Sequence, residues 1–185
     1  MATPITLEIC HLYPDLMDTY GDMGNIITIV QRCAWRNIRT NVTKLSVGEK
    51  LDPKKFDIYF FGGGQDRQQF IVGKDLPKKA SAIGQALELG AVFLSICGGY
   101  QLLQKYFRTL DGKEIRGIGL FDAYTIGSKD RMIQNLLIKL SGDIQSEIKS
   151  IYPTIKQFNN LTMNLVGFEN HSGKTYLGEN LKPLG

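Results

Sequence analysis

"AVFLSICGGYQLLQKYF" (residues 91–107) decides how the chain is to be read. Its first six residues are apolar and strand-like. Two glycines follow the cysteine, and apolar residues then recur at helical spacing. A strand that turns sharply into a helix places Cys97 at the junction, where a side chain projects into the cleft above the sheet. Backbone at such a turn is strained and crowded and needs small neighbours, which Gly98 and Gly99 supply. A nucleophilic thiol suits the place. The helix N-terminus favours negative charge and is expected to lower a thiol pKa from about 8.5 by a unit or more. Peptide N–H groups of the same turn can hold a developing oxyanion. The plainer alternative is a small buried apolar residue in a tight turn. The two glycines and the helix directly behind favour the nucleophile.

Working outward, short apolar runs alternate with helical patterns. "ITLEIC" (5–10) reads as a strand, and "GNIITIVQRCAWRN" (24–37) as a helix with Ile26, Ile29, Val30, Cys33 and Ala34 on one face. "IRTNVTKL" (38–45) and "FDIYFF" (56–61) read as strands, the latter ended by "GGGQD". "PKKASAIGQALELG" (77–90) is a helix opened by Pro77 and stopped by Gly90. "AVFLSI" is a fourth strand, buried on both faces if central, and "GGYQLLQKYF" opens the next helix. This alternation predicts an α/β fold, a doubly wound and mostly parallel sheet with helices on both faces. Beyond about residue 108 the pattern changes. "TLDGKEIRGIGLFDAYTI" reads as a hairpin with a short strand, while "IQNLLIKLSGDI" and "LTMNLVGFEN" read as antiparallel strands. With no repeat, low-complexity tract or linker, residues 1–185 are expected to form a single domain. "GENLKPLG" offers no last strand or helix to close the sheet, so its C-terminal part reads as incomplete.

Composition narrows the function classes. The 185 residues are 43% hydrophobic and 22% charged, an ordinary globular balance. The net charge of +4 comes from scattered basic residues rather than an arginine-rich run. That pattern reads as a solvated face, not a nucleic-acid footprint. No apolar run is long enough to span a bilayer. Cys10, Cys33 and Cys97 show no CxxC spacing, so neither a disulfide framework nor a zinc site is expected, and no metal is assigned.

Ligands of open α/β sheets bind at the carboxyl ends of the strands. "HLYPDLMDTYGDMGN", "GGGQD" and "CGG" all fall there. The three glycines of "FGGGQD" can bring backbone N–H groups close to a ligand, although a flexible turn is the alternative. "GFENHSGKT" (167–175) is not a P-loop, because five residues separate Gly167 from Gly173 where four are required. A thiolate that attacks an amide needs a general base, most often histidine. His11, at the end of strand one, and His171, in a polar turn, are the two histidines. Either reads equally well as structural, and neither is assigned as the base.

"SICGGYQLL" with its cysteine elbow, and "FGGGQD", resemble the class I (triad-type) glutamine amidotransferases, and within them the cobyric-acid-synthase-like group. "HLYPDLMDTYGDMGNI", "GIGLFDAYT" and "VGFENHSGKTYLG" are closer still to the GatD-type glutaminase subunits that work in lipid II amidation. The resemblance covers essentially the whole chain, least securely around 141–163. It implies hydrolysis of L-glutamine to glutamate and ammonia. The ammonia would pass to a Mur-ligase-like partner (MurT) that uses ATP to amidate the D-glutamate of lipid II to D-isoglutamine, in the cytoplasm at the inner face of the membrane. No cofactor is implied for the glutaminase itself. Carried over residue by residue, Cys97 is the nucleophile, Gly64 and Gly98 supply the oxyanion N–H groups, and Arg131 in "GSKDRM" binds the glutamine α-carboxylate. Arginine suits that role because its fork binds a carboxylate bidentately. The family places its catalytic histidine in a Y-[LF]-H-G segment downstream of the region matching "LKPLG", and the 185 residues contain no such segment. The resemblance therefore implies a shortened chain, with a catalytically inactive glutaminase-like binding or regulatory module as the alternative. A DJ-1- or PfpI-like cysteine hydrolase is a third reading, disfavoured by "CGGY" and Arg131.

Overall fold

The computed structural model describes residues 5–153 and 163–184. Its first half is a four-stranded parallel sheet in the order β2-β1-β3-β4, formed by β1 (Thr6–Leu12), β2 (Arg39–Leu45), β3 (Ile58–Phe61) and β4 (Val92–Ser95). Side chains alternate across a pleated strand, and the alternation sorts the core into two layers. Cys10, Leu12, Tyr59 and Phe61 face one side with Val72, Ile83 and Leu102. Those partners come from α2 (Asp66–Asp75), α3 (Ala80–Glu88) and α4 (Gly98–Leu103). Ile9 and Phe60 face the other side, against Ile26, Ile29 and Val30 of α1 (Met23–Ala34). Helices therefore cover both faces of a parallel sheet, as the alternating sequence pattern requires.

Three boundaries differ from the sequence reading. β4 is an edge strand, so it is not buried on both faces. Phe93 stacks on Tyr59 at 4.4 Å, while Val92 and Leu94 on the α1 side are 60% and 40% exposed. The helix after Cys97 stops at Leu103, because N–H groups of Ile118, Leu120 and Gly119 take the carbonyls of Leu102, Leu103 and Gln104. Tyr106–Arg108 then forms β5 instead of continuing the helix. The segment expected as one helix over 77–90 divides into a 3-10 turn (Leu76–Lys79) and α3, and α2 precedes it. α2 escaped the periodicity because it buries Gln69 and Asp75 where an apolar stripe would be expected.

The second half is a mixed sheet in the order β6-β5-β7-β8. β5 and β6 (Glu114–Arg116) form a hairpin whose turn and second strand fall in the segment expected to hold one, while its first strand lies ahead of that segment, and β5 pairs parallel with β7 (Ala123–Lys139). β7 and β8 (Asn164–Leu177) form a long antiparallel ribbon, as expected, with a register irregularity between Gly127 and Met132. "SGDI" belongs not to the strand but to the start of α5 (Gly142–Ile151). Leu161 and Thr162 of the expected last strand lie outside the described residues. Among those described, no helix is long and apolar enough to cross a membrane.

Candidate active site

Cys97 occupies the elbow. Its backbone sits at φ 50°, ψ −113°, a conformation that L-residues rarely adopt and that persists only where the surroundings enforce it. The enforcement is steric and local. A Cβ on Gly99 would collide with the carbonyl oxygen of Phe61, and Gly99 N–H donates to Gly62 O at 3.0 Å. A Cβ on Gly98 would lie 3.1 Å from Gly64 N. The loop after β3 and the turn after β4 therefore touch backbone to backbone, which only glycine allows.

The β3 loop is itself held from the segment after β1. Gly63 N–H donates to Asp22 Oδ2 at 3.1 Å, and Gly63 O accepts from Thr19 N–H at 3.1 Å. Met17 packs its sulfur where a side chain on Gly64 would have to go. Gln69 Nε2 donates to Gly64 O at 3.0 Å. Gly64 N–H has no backbone acceptor among the described residues, which leaves it available beside Gly98.

One cleft of about 840 Å³ joins this corner to the β7–β8 ribbon. Cys97, Gly64 and Tyr20 line one wall, and Arg131, Asn170 and His171 line the other. The irregularity in β7 carries Ser128–Arg131 out of register. Arg131 Nε donates to Asn170 Oδ1 at 3.0 Å, which fixes the stem while the guanidinium makes no ion pair among the described residues. A free fork at the mouth of a cleft is a ready carboxylate receptor.

The two histidines part company. β1 runs two residues further than the alternation suggested, so His11 lies inside the strand, fully buried against Phe60 at 5.3 Å. Neither ring nitrogen has a partner among the described residues, and burial holds the imidazole below its ordinary pKa. It does not line the cleft. His171 does, although in β8 rather than in a turn. Its Nε2 meets Glu169 Oε2 at 3.0 Å and its Nδ1 meets Gly173 O at 2.9 Å. Both partners are acceptors, so neither nitrogen is directed at the thiol.

The thiol also departs from expectation. Partial desolvation pushes the Cys97 pKa up. The Gly98 N–H pulls it down, but the Asp22 and Asp66 carboxylates add to the upward shift. Cys10, in the core, is pushed up to about 12 and is chemically silent. Residues the sequence reading did not single out complete the corner: Tyr20 and Asp22 from the β1–α1 segment, Gln69 from α2 and Gln101 from α4. The segment "DTYGDMGN" belongs to the stretch after strand one that the sequence places at the carboxyl edge of the sheet. Nothing in the local pattern distinguished Gln69.

The chain that builds this cysteine elbow against a glycine loop also matches a known family model. Residues 8–185 fit the CobB/CobQ-like glutamine amidotransferase domain. The chain belongs to that family. The amidotransferase chain is 37% identical over 182 residues (98% of its length) to the lipid II isoglutaminyl synthase (glutamine-hydrolyzing) subunit GatD of Streptococcus pneumoniae, and covers 64% of it. It is 40% identical over 170 residues (92%) to the protein of the same name from Staphylococcus aureus, and covers 62% of it. The amidotransferase chain thus spans a little under two thirds of these relatives. A probable cobyric acid synthase of Methanocaldococcus jannaschii is more distant, 33% identical over 103 residues, with 53% of this chain and 17% of that protein covered.

Proposed function

We propose that this chain is the glutaminase component of a cell-wall amidating enzyme. The observation that carries the reading is the elbow: Cys97 at positive φ, wedged between two glycine backbones, faces Arg131 across one cleft. Arg131 binds the α-carboxylate of glutamine and so places the side-chain carboxamide at Cys97. The sulfur attacks the amide carbon, and the oxyanion is held by the N–H groups of Gly64 and Gly98. The C–N bond breaks, the thiol proton leaves with the nitrogen as ammonia, and a glutamyl thioester remains. Water then attacks the thioester, giving glutamate and the free thiol. The reading assigns no cofactor to this chain. ATP belongs to a Mur-ligase-like partner that receives the ammonia and amidates the D-glutamate of lipid II, in the cytoplasm at the inner membrane face. The names of the two longer relatives support glutamine hydrolysis, lipid II as the target and the existence of a partner subunit.

A diazo-ketone analogue of glutamine tests the reading on the complete protein. It is expected to label Cys97 and spare Cys10 and Cys33, both buried. Glutamine in excess should slow the labelling. Labelling that survives Cys97→Ala refutes the nucleophile. The engaged nitrogens of His171 favour a second reading, a glutaminase-like module that binds without turnover. That reading predicts labelling with no ammonia release, even with the ligase partner present.

A further inference from the structure

Gln69 is 2% exposed, yet it sits among core residues of α2 with a polar head. Its Nε2 donates to Gly64 O at 3.0 Å and to Gln101 Oε1 at 3.1 Å. A carbonyl can only accept, so the NH2 end must face Gly64, and both of its hydrogens are used. Oε1 is left buried with no partner among the described residues. Leaving a buried oxygen unpaired costs free energy and calls for an explanation. The explanation lies in what the carboxamide touches. A Cβ on Gly98 would meet Gln69 Cδ and Nε2, each at 2.9 Å, so the amide lies flat against the elbow.

Gly64 has free dihedrals on both sides and cannot aim its own N–H. Two planar peptides meet at its Cα, and each needs an anchor. Thr19 N–H holds the preceding peptide through Gly63 O at 3.1 Å. Gln69 holds the following one through Gly64 O. We infer that Gln69 is a positioning residue for the oxyanion site: its carboxamide bolts the β3 loop to the helix after Cys97 and keeps the Gly64 N–H beside the Gly98 N–H. The inference rests on the glutaminase reading. Gln69 acts through Gly64 and touches no reacting atom.

Two probes on the complete protein separate the roles. The γ-aldehyde analogue of glutamine adds the Cys97 thiol across its C=O bond, sulfur to carbon and proton to oxygen, reversibly forming a hemithioacetal whose oxygen needs the N–H donors. Iodoacetamide alkylates the same sulfur by displacing iodide and needs only the thiolate. Gln69→Met keeps the volume and removes the donor. It is expected to weaken aldehyde binding by about 10- to 100-fold, the scale of a misplaced oxyanion donor. The iodoacetamide rate should change less than about two-fold. Equal aldehyde affinity in the folded variant overturns the inference, and so does a parallel loss with both probes. Failure of the unaltered protein to bind the aldehyde overturns the glutaminase reading and this inference with it. If Gln69→Met does not fold, Gln69→Glu carries the test. A protonated carboxyl can donate to Gly64 O and an ionised one cannot, so aldehyde affinity relative to the unaltered protein should recover as pH falls. A pH profile identical to that of the unaltered protein overturns the inference.

Discussion

Replacing Asp75 by alanine should nearly unfold the protein, although Asp75 lines no part of the cleft. Its carboxylate and the Lys79 ammonium are each only 3% exposed and form an ion pair one helical turn apart. Tyr13 OH donates to Asp75 Oδ2 at 2.8 Å, and Gly48 N–H donates to Oδ1 at 3.1 Å. Burial alone would push this carboxyl up, but Lys79, Tyr13 and Gly48 together hold it below its ordinary pKa. Alanine strands a buried ammonium, which costs about 3–5 kcal/mol. It also leaves a hydroxyl and a backbone N–H without their acceptor, so the upper end of that range is expected. A domain stability of about 5–15 kcal/mol leaves little margin. Urea unfolding followed by circular dichroism should show the midpoint falling by roughly 2 M, for a slope of about 2 kcal/mol/M. The double change Asp75→Leu with Lys79→Met removes both charges and should recover most of the loss. A single-variant cost under about 1 kcal/mol, or a double variant no better than the single one, refutes the reasoning. The sign with pH follows from the depressed carboxyl. The pair's contribution is full above the unfolded-state pKa near 4 and is lost as pH falls through the lower folded value. Tyr13 sits at φ 52° just ahead of Met17 and Asp22, so the pair anchors the segment that supports the glycine loop.

His11 gives the same sign in a higher window. The unfolded chain takes a proton near pH 6.5 while the buried ring stays neutral, so stability is full above that pH and declines below it, by up to about 1.4 kcal/mol per pH unit. His11→Phe should remove that slope between pH 7.5 and 5 in urea unfolding, and an unchanged slope would place the titration elsewhere. Arg131→Ala should weaken glutamine use by about 2–4 kcal/mol in kcat/KM, with the fold intact because the arginine is exposed. Unchanged glutamine kinetics would leave Arg131 as a surface residue only.

The alternating strands and helices, the elbow and the glycine loop were legible in the residues alone. Each is local chemistry: period-two apolar runs, glycines where backbones collide, and a cysteine between a strand and a helix. Gly64 and Gly98, which the family resemblance named, lie beside Cys97 because strands β3 and β4 are register neighbours. What surrounds them depends on contacts between elements far apart in the chain. Arg131 and His171 reach the cleft through an irregular ribbon whose register no periodicity encodes. β4 lies at the edge because its position depends on which strands pair, not on its own apolar content. The thiol pKa goes up rather than down because partial burial desolvates it and because Asp22 and Asp66, remote in sequence, add to the upward shift. Gln69 stayed hidden for the same reason. A buried glutamine carries no signal along its own helix, and its partners, Gly64 O and Gln101 Oε1, come from other elements. Electrostatics and hydrogen bonds act across space, and only the folded chain fixes those distances.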